Sequence, residues 1–175
     1  MMNKTIGVWF SCGVASAVAA KLTLDLYGKE NNVIILNNPV IEEDEDNLRF
    51  KDDISQWLKV EILTVENSKF PDHSAVTVWG KRRYMSGIKG APCTQELKKK
   101  ARQEYESNNH IDYHVLGFTS DEFKRHERFI LNERDNVLPV LIDAGITKDE
   151  CFKIINEAGI ALPRVYSMGL SLIHI

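Results

Sequence analysis

Short apolar runs alternate along this chain with longer stretches whose apolar residues fall at helical spacing. Residues 5–10 (TIGVWF) are apolar and partly β-branched, which predicts a buried strand. Ser11-Cys12-Gly13 breaks the run. Residues 15–27 (ASAVAAKLTLDLY) then combine strong helix formers with a helical apolar face, and Gly28 closes them. Residues 33–36 (VIIL) predict a second buried strand, turned by Asn37-Asn38-Pro39. An acidic run at 42–46 (EEDED) opens a predicted helix that reaches about Leu58. Carboxylates suit a helix N-terminus, so the plain reading of this run is a solvated cap. Residues 60–65 (VEILTV) alternate well enough for a third strand.

Between 66 and 92 the periodicity breaks down. Pro71, Gly80, Gly87, Gly90 and Pro92 interrupt a segment carrying Lys81, Arg82, Arg83 and Lys89, and only 76–85 has helical character. A segment of this kind is more often a functional loop or lid than filler. Residues 94–105 (TQELKKKARQEY) predict a helix capped by Cys93 or Thr94. Its lysines at 98–100 read as a solvated face from which one side chain could reach a phosphate. Residues 112–118 (DYHVLGF) predict a fourth strand with Gly117 near its end. Residues 120–132 predict a charged helix with Ser120 or Asp121 as N-cap. Residues 137–141 predict a short fifth strand, and 147–158 a helix opened by the Thr147/Glu150 capping box and closed by Gly159.

Strands alternating with helices imply one α/β domain: a doubly wound, mostly parallel five-stranded sheet of Rossmann-like type with helices on both faces. Ligands on such sheets bind beyond the carboxyl ends of the strands, at the topological switch point. The length of 175 residues fits a single domain, and 43% hydrophobic residues suffice for one core. A formal net charge of −3 gives no overall basic character, so neither a nucleic acid nor a membrane is the expected partner, and any anion site must be local. No stretch approaches the roughly 18 apolar residues of a membrane span, and 6–10 is too short for a signal-peptide core. The three cysteines, Cys12, Cys93 and Cys151, form no Cys-x-x-Cys pair. Neither a disulfide framework nor a closed zinc site is expected, and a reducing cytoplasm is the simplest location.

The sharpest chemical signal is the first strand–loop–helix. Small residues at Ser11, Cys12, Gly13, Ala15 and Ser16 allow backbone N–H groups to approach an anion. The helix N-terminus adds partial positive charge, and the hydroxyls of Ser11 and Ser16 are further donors. The loop matches neither a Walker P-loop nor G-x-G-x-x-G. Close helix–sheet packing is the competing explanation for its small residues.

The segment Ser11-Cys12-Gly13-Val14-Ala15-Ser16 resembles the Ser-Gly-Gly-x-Asp-Ser loop of the PP-loop (adenine nucleotide alpha-hydrolase) superfamily. That superfamily includes ATP pyrophosphatases and phosphoadenosine phosphosulfate (PAPS) reductases. Cys12 stands for a glycine and Ala15 for the aspartate, which counts against ATP pyrophosphatase chemistry, where a carboxylate near Mg²⁺ is useful. Residues 81–84 (KRRY), 87–94 (GIKGAPCT), 117–122 (GFTSDE) with Arg125 and Arg128, 139–147 and 162–169 (LPRVYSMG) resemble PAPS reductase-like proteins of bacteria and their phages. The resemblance spans about 5–169.

The resemblance implies an adenine nucleotide, PAPS or ATP, with Mg²⁺ as a possible companion. Ser11, Cys12, Gly13, Ser16 and Gly117 would hold its phosphate or sulfate end. Lys81, Arg82, Arg83, Lys89, Arg125 and Arg128 would neutralise it, with Glu122 ordering the arginines. Glu122 and Arg125, at helical spacing, read equally well as a surface pair.

Sulfonucleotide reduction also requires a cysteine nucleophile and a thioredoxin-like electron donor. The nucleophile of such reductases lies near the C-terminus, and this chain has no cysteine after Cys151. Cys151 reads as a small buried hydrophobe. Cys93, beside a predicted helix N-terminus and Lys89, is the candidate catalytic thiol, or else one ligand of a metal or cluster. An iron–sulfur cluster is implied only if the natural chain continues with more cysteines. Three functions therefore stay open: sulfonucleotide reduction, ATP-dependent adenylation or sulfur transfer, and non-catalytic nucleotide binding.

The last six residues, 170–175 (LSLIHI), are what the codons CTG TCT CTT ATA CAC ATC encode, a sequence resembling a transposon adapter of sequencing libraries. They are read as a non-native tail on a chain truncated at about Gly169, the alternative being a genuine apolar tail on the sheet. Sequencing the gene across its 3′ end tests this. Continuation past Gly169 into a cysteine-containing segment is the expected result, and a stop codon after Ile175 excludes it.

Overall fold

The computed structural model describes residues 3–88 and 90–169. Lys89 and the 170–175 tail lie outside them. Four parallel strands form one sheet in the order β3-β2-β1-β4: β1 (Thr5–Trp9), β2 (Asn32–Asn37), β3 (Ile62–Thr64) and β4 (Tyr113–Val115). Register follows the apolar positions, with Val8 opposite both Ile35 and Val115. Side chains alternate across a strand, so each strand feeds two cores. Ile6, Val8, Ile35, Ile62 and Val115 point to one face, where α1 (Val14–Tyr27), α2 (Asp46–Leu58), α6 (Val140–Asp143) and α7 (Lys148–Glu157) close the main core. Trp9, Leu36 and Ile111 face the other side, against Ala101 and Tyr105 of α4 (Ala101–Asn108). A satellite cluster of Phe70, Ala75, Val78 and Leu97 sits under α3 (Ala75–Arg82).

The doubly wound parallel arrangement is the expected one, with four strands rather than five. Val137 makes only an isolated parallel bridge to His114, and Leu138 N–H donates to His114 O at 2.8 Å. Pro139 has no N–H to continue the ladder, and the chain turns at once into α6.

A second difference is in the helix expected at 94–105. Thr94–Lys100 is wound as a π-helix, and regular α-helix begins at Ala101. The side chain of Asn67 inserts here, its Nδ2 donating to Glu96 O at 2.9 Å. A side chain entering the carbonyl ladder is an established cause of local rewinding. The Glu96 carboxylate is buried with it. Burial pushes its pKa up, but Lys100 and Arg82 more than offset this and hold it below the usual range.

After β4 a short 3₁₀ turn (Ser120–Glu122) leads into α5 (Phe123–Asn132), and α8 (Arg164–Ser167) ends the described chain. The expected capping box at Thr147 is present: Thr147 Oγ1 accepts from Glu150 N, and Glu150 Oε2 accepts from Thr147 N at 2.7 Å. None of the described helices is long and apolar enough to cross a membrane.

Phe50, fully buried, stacks on Phe10 at the end of β1, with ring centroids 6.2 Å apart. Phe50→Ala is expected to lower unfolding free energy by about 3–5 kcal/mol, measured by urea denaturation.

Candidate functional site

The chain leaves β1 for β2 on one side and returns to place β4 on the other. The switch point therefore lies between β1 and β4, and beyond their carboxyl ends opens a cleft of about 600 Å³. Ser11, Gly13 and Ser16 line it, as do Gly117, Glu122, Arg125 and Arg128.

The 11–16 loop is built by local constraints. Cys12 sits in the left-handed region at φ 57°, the conformation a glycine adopts most easily. Its side chain is buried against Asn37, whose Nδ2 also donates to Phe10 O at 2.9 Å. Ser16 Oγ accepts from Ser11 N–H at 3.1 Å and donates to Gly13 O at 2.8 Å, so this hydroxyl closes the loop on itself. The sequence had offered it as an anion donor. The first intrahelical bond of α1 runs from Ala17 N to Gly13 O. The N–H groups of Val14, Ala15 and Ser16 are thus the orphans of the first turn. Val14 N donates to Tyr166 Oη at 3.2 Å. Gly13, the N-cap, supplies no side chain.

Gly117 explains why the cleft has a floor. A Cβ there would lie 2.7 Å from Ser16 N and 2.9 Å from Ala15 C, so the end of β4 rests directly on the first turn of α1.

Five cations line the cleft, Lys98, Arg102, Arg125, Arg128 and Lys148, against three carboxylates, Glu43, Glu122 and Glu133. Lys98 pairs with Glu43 at 3.0 Å and Arg125 with Glu122 at 2.5 Å. Among the described residues, Arg102, Arg128 and Lys148 have no carboxylate within 4.0 Å. Arg102 lies over the Trp9 ring, 5.6 Å from its centroid. Burial, and then Arg134, depress its pKa, as expected of a cation poorly compensated by the protein. Trp9 is held in turn by its Nε1–H, which donates to His114 Nδ1 at 3.1 Å. Lys98 and Arg102 sit on one face across the π-to-α junction, and that spacing is the signal from which Arg102 could have been found. Trp9, Lys148 and Tyr166 converge only through the tertiary fold.

The basic stretch at 81–83 lies elsewhere. Lys81 Nζ sits 4.7 Å from the Phe70 ring centroid, Arg82 pairs with Glu96, and Arg83 is an exposed left-handed C-cap of α3. None lines the cleft. Cys93 packs beside the Phe70–Leu97 cluster, also away from it. Burial pushes the thiols of Cys12 and Cys151 up to about 12, so both are protonated near neutral pH.

The acidic run is a fastening rather than a solvated cap. Glu42 accepts from Ser74 Oγ, Ala75 N and Val76 N, capping α3 from a distance. Asp44 and Asp46 hold Arg164, and Asp46 takes two bonds from Arg49. The Arg49 bonds bring the Asp46 pKa down to about 2.

No family model and no curated protein matches this chain. Among solved structures it is similar to the U34-tRNA thiolase NcsA from Methanococcus maripaludis, determined with its [4Fe-4S] cluster. The identity is 14%, the TM-score 0.63, and the likeness covers 93% of this chain and 59% of the thiolase. The chain thus has the fold of that enzyme over less than two thirds of the enzyme's length. The cysteines do not fit a cluster: Cys12 is under the loop, Cys93 is in the satellite cluster, and Cys151 is in the main core. Among the described residues no three His, Cys, Asp or Glu side chains converge as a metal-binding group.

Two outcomes follow from this geometry. Gly117→Ala forces backbone against backbone and is expected to cost about 1–3 kcal/mol in chemical denaturation. Burial, with Arg134 second, brings the His114 pKa down to about 4 from an ordinary value of 6.5. The unfolded chain then takes up a proton that the folded chain refuses. This stabilisation is full above about pH 6.5 and lost as pH falls through about 4. In His114→Asn, the fall in stability over that window should flatten, measured by denaturation at a series of pH values.

Proposed function

We propose that the cleft binds an adenine nucleotide with its phosphate end against the first turn of α1, and that the domain serves ATP-dependent adenylation of the kind used in sulfur transfer. The observation that carries this reading is that Arg102, Arg128 and Lys148, without carboxylate partners among the described residues, line the same cleft of nucleotide size as the N-terminus of α1. The resemblance of the 11–16 loop to the PP-loop and the fold shared with a tRNA thiolase support it. In such a step an acceptor atom attacks the α-phosphorus, the bond to the bridging oxygen breaks, and pyrophosphate leaves with the electron pair. Orphan N–H groups and arginines placed at the leaving group stabilise that developing charge without reorganisation.

PAPS reduction is the reading with less support. It needs a thiolate in reach of the sulfur. Cys12 and Cys151 are buried thiols, and Cys93 is outside the cleft lining. The [4Fe-4S] cluster belongs to the thiolase, and no step is assigned to one here.

Calorimetric titration with ATP tests the binding. Arg102→Ala and Arg128→Ala are each expected to weaken ATP roughly tenfold or more, as loss of a charge-assisted contact does, and Cys93→Ser to leave it unchanged. Pyrophosphate released from ATP in the presence of an acceptor supports adenylation. Sulfite released from PAPS, abolished by Cys93→Ser, overturns it in favour of reduction. Retention of nucleotide with neither product leaves a binding protein.

A further inference from the structure

We propose that Tyr166 is a specificity-determining residue of this cleft: its hydroxyl donates to the terminal phosphate of the nucleotide, with the Lys148 ammonium beside it as countercharge. The inference rests on the nucleotide reading above and names the residues that read the ligand's end.

Tyr166 comes from α8, far along the chain from the 11–16 loop, yet its hydroxyl oxygen lies 3.2 Å from Val14 N in the first turn of α1. It accepts that N–H with one lone pair. A phenol carries one proton as well, and among the described residues nothing accepts it. The side chain lines the cleft, so the free proton is available to an acceptor in the space beside the helix mouth. Burial raises the phenol's pKa, which keeps the proton in place at neutral pH.

Lys148 strengthens the assignment independently. Its Nζ lies 5.8 Å from the Tyr166 ring centroid, it lines the same cleft, and it has no carboxylate partner within 4.0 Å among the described residues. A cation over a phenol ring beside orphan N–H groups suits a phosphate and does nothing for an uncharged nucleoside.

The hydroxyl is also held in place. Phe152 meets the Tyr166 ring edge-on, with centroids 5.0 Å apart. The strap before it is fastened at several points: Arg49 donates to Ala161 O at 3.0 Å and to Leu162 O at 3.2 Å, Arg164 N donates to Asp46 at 2.8 Å, and the Arg164 guanidinium grips Asp44 at 2.8 and 3.2 Å. The acidic run thus acts through Arg49 and Arg164 to position Tyr166. A donor held this way loses little freedom when it bonds a ligand.

Titration calorimetry of the whole chain with ATP, pyrophosphate and adenosine, on wild type, Tyr166→Phe and Lys148→Met, tests the assignment, with thermal melting alongside. Tyr166→Phe keeps the ring and loses only the hydroxyl. It should weaken ATP and pyrophosphate roughly tenfold, as loss of a hydrogen bond to a charged group does, and change adenosine less than about twofold. Lys148→Met should shift the same ratio in the same direction. If Tyr166→Phe melts lower but binds ATP unchanged, Tyr166 only caps α1 and the proposal is overturned. Tighter binding by Tyr166→Phe also overturns it, since the hydroxyl would then be a plug. Should that variant fail to fold, Lys148→Met decides alone by the same ratio. Wild-type protein that binds none of the three ligands refutes the nucleotide reading itself, and Tyr166 with it.

Discussion

The contact on which the rest depends is between Gly117 and the first turn of α1. The end of β4 reaches Ser16 N and Ala15 C so closely that no Cβ fits between them. That approach sets the spacing of β1, α1 and β4 at the switch point. It brings the strand that leads into α5 beside the loop that opens α1. Arg125, Arg128 and Glu122 consequently share a cleft with Ser11 and Gly13. A bulkier residue at 117 would separate the two halves of the site before altering any functional side chain.

Charge is distributed unequally around that contact. Along the acidic run every carboxylate has a partner in the fold: Glu42 caps α3, Glu43 meets Lys98, Asp44 and Asp46 fasten the strap through Arg164 and Arg49, and Glu45 reaches Arg164 at 3.5 Å. Inside the cleft the balance is reversed, with Arg102, Arg128 and Lys148 lacking carboxylate partners among the described residues. Cations left uncompensated in a partly desolvated space are costly to the apo protein and favourable to an anionic ligand. A chain of net charge −3 thus concentrates positive potential in one concave place.

Much of this was legible in the sequence. The alternation of apolar runs and helical stretches gave strands and helices in the right order, because burial on two sheet faces demands that pattern. The small residues at 11–16 marked the loop, and Cys12 within it takes the left-handed conformation that glycine adopts most easily. Arg125 and Arg128 were expected beyond a strand's carboxyl end, and both line the cleft there.

What the sequence hid was set by tertiary contact. The run 137–141 looks apolar enough for a strand, but Pro139 stops it after one bridge. The lysine and two arginines at 81–83 looked like an anion loop because local sequence carries no information about Phe70 and Glu96, the partners of Lys81 and Arg82 in the fold. Arg102, Lys148 and Tyr166 come from three separate elements and converge only when the sheet is assembled. The acidic run looked solvated because Ser74, Lys98 and Arg164, which it holds, are far from it in sequence.

The proposed nucleotide places its anionic end at the first turn of α1 and not on the basic stretch at 81–83. Backbone amide chemical shifts recorded while pyrophosphate is titrated into ¹⁵N-labelled protein test it directly. The largest changes are expected at Gly13, Ala15, Ser16 and Gly117, with Lys81, Arg82 and Arg83 nearly still. Large changes at 81–83 with 13–16 unmoved would contradict it.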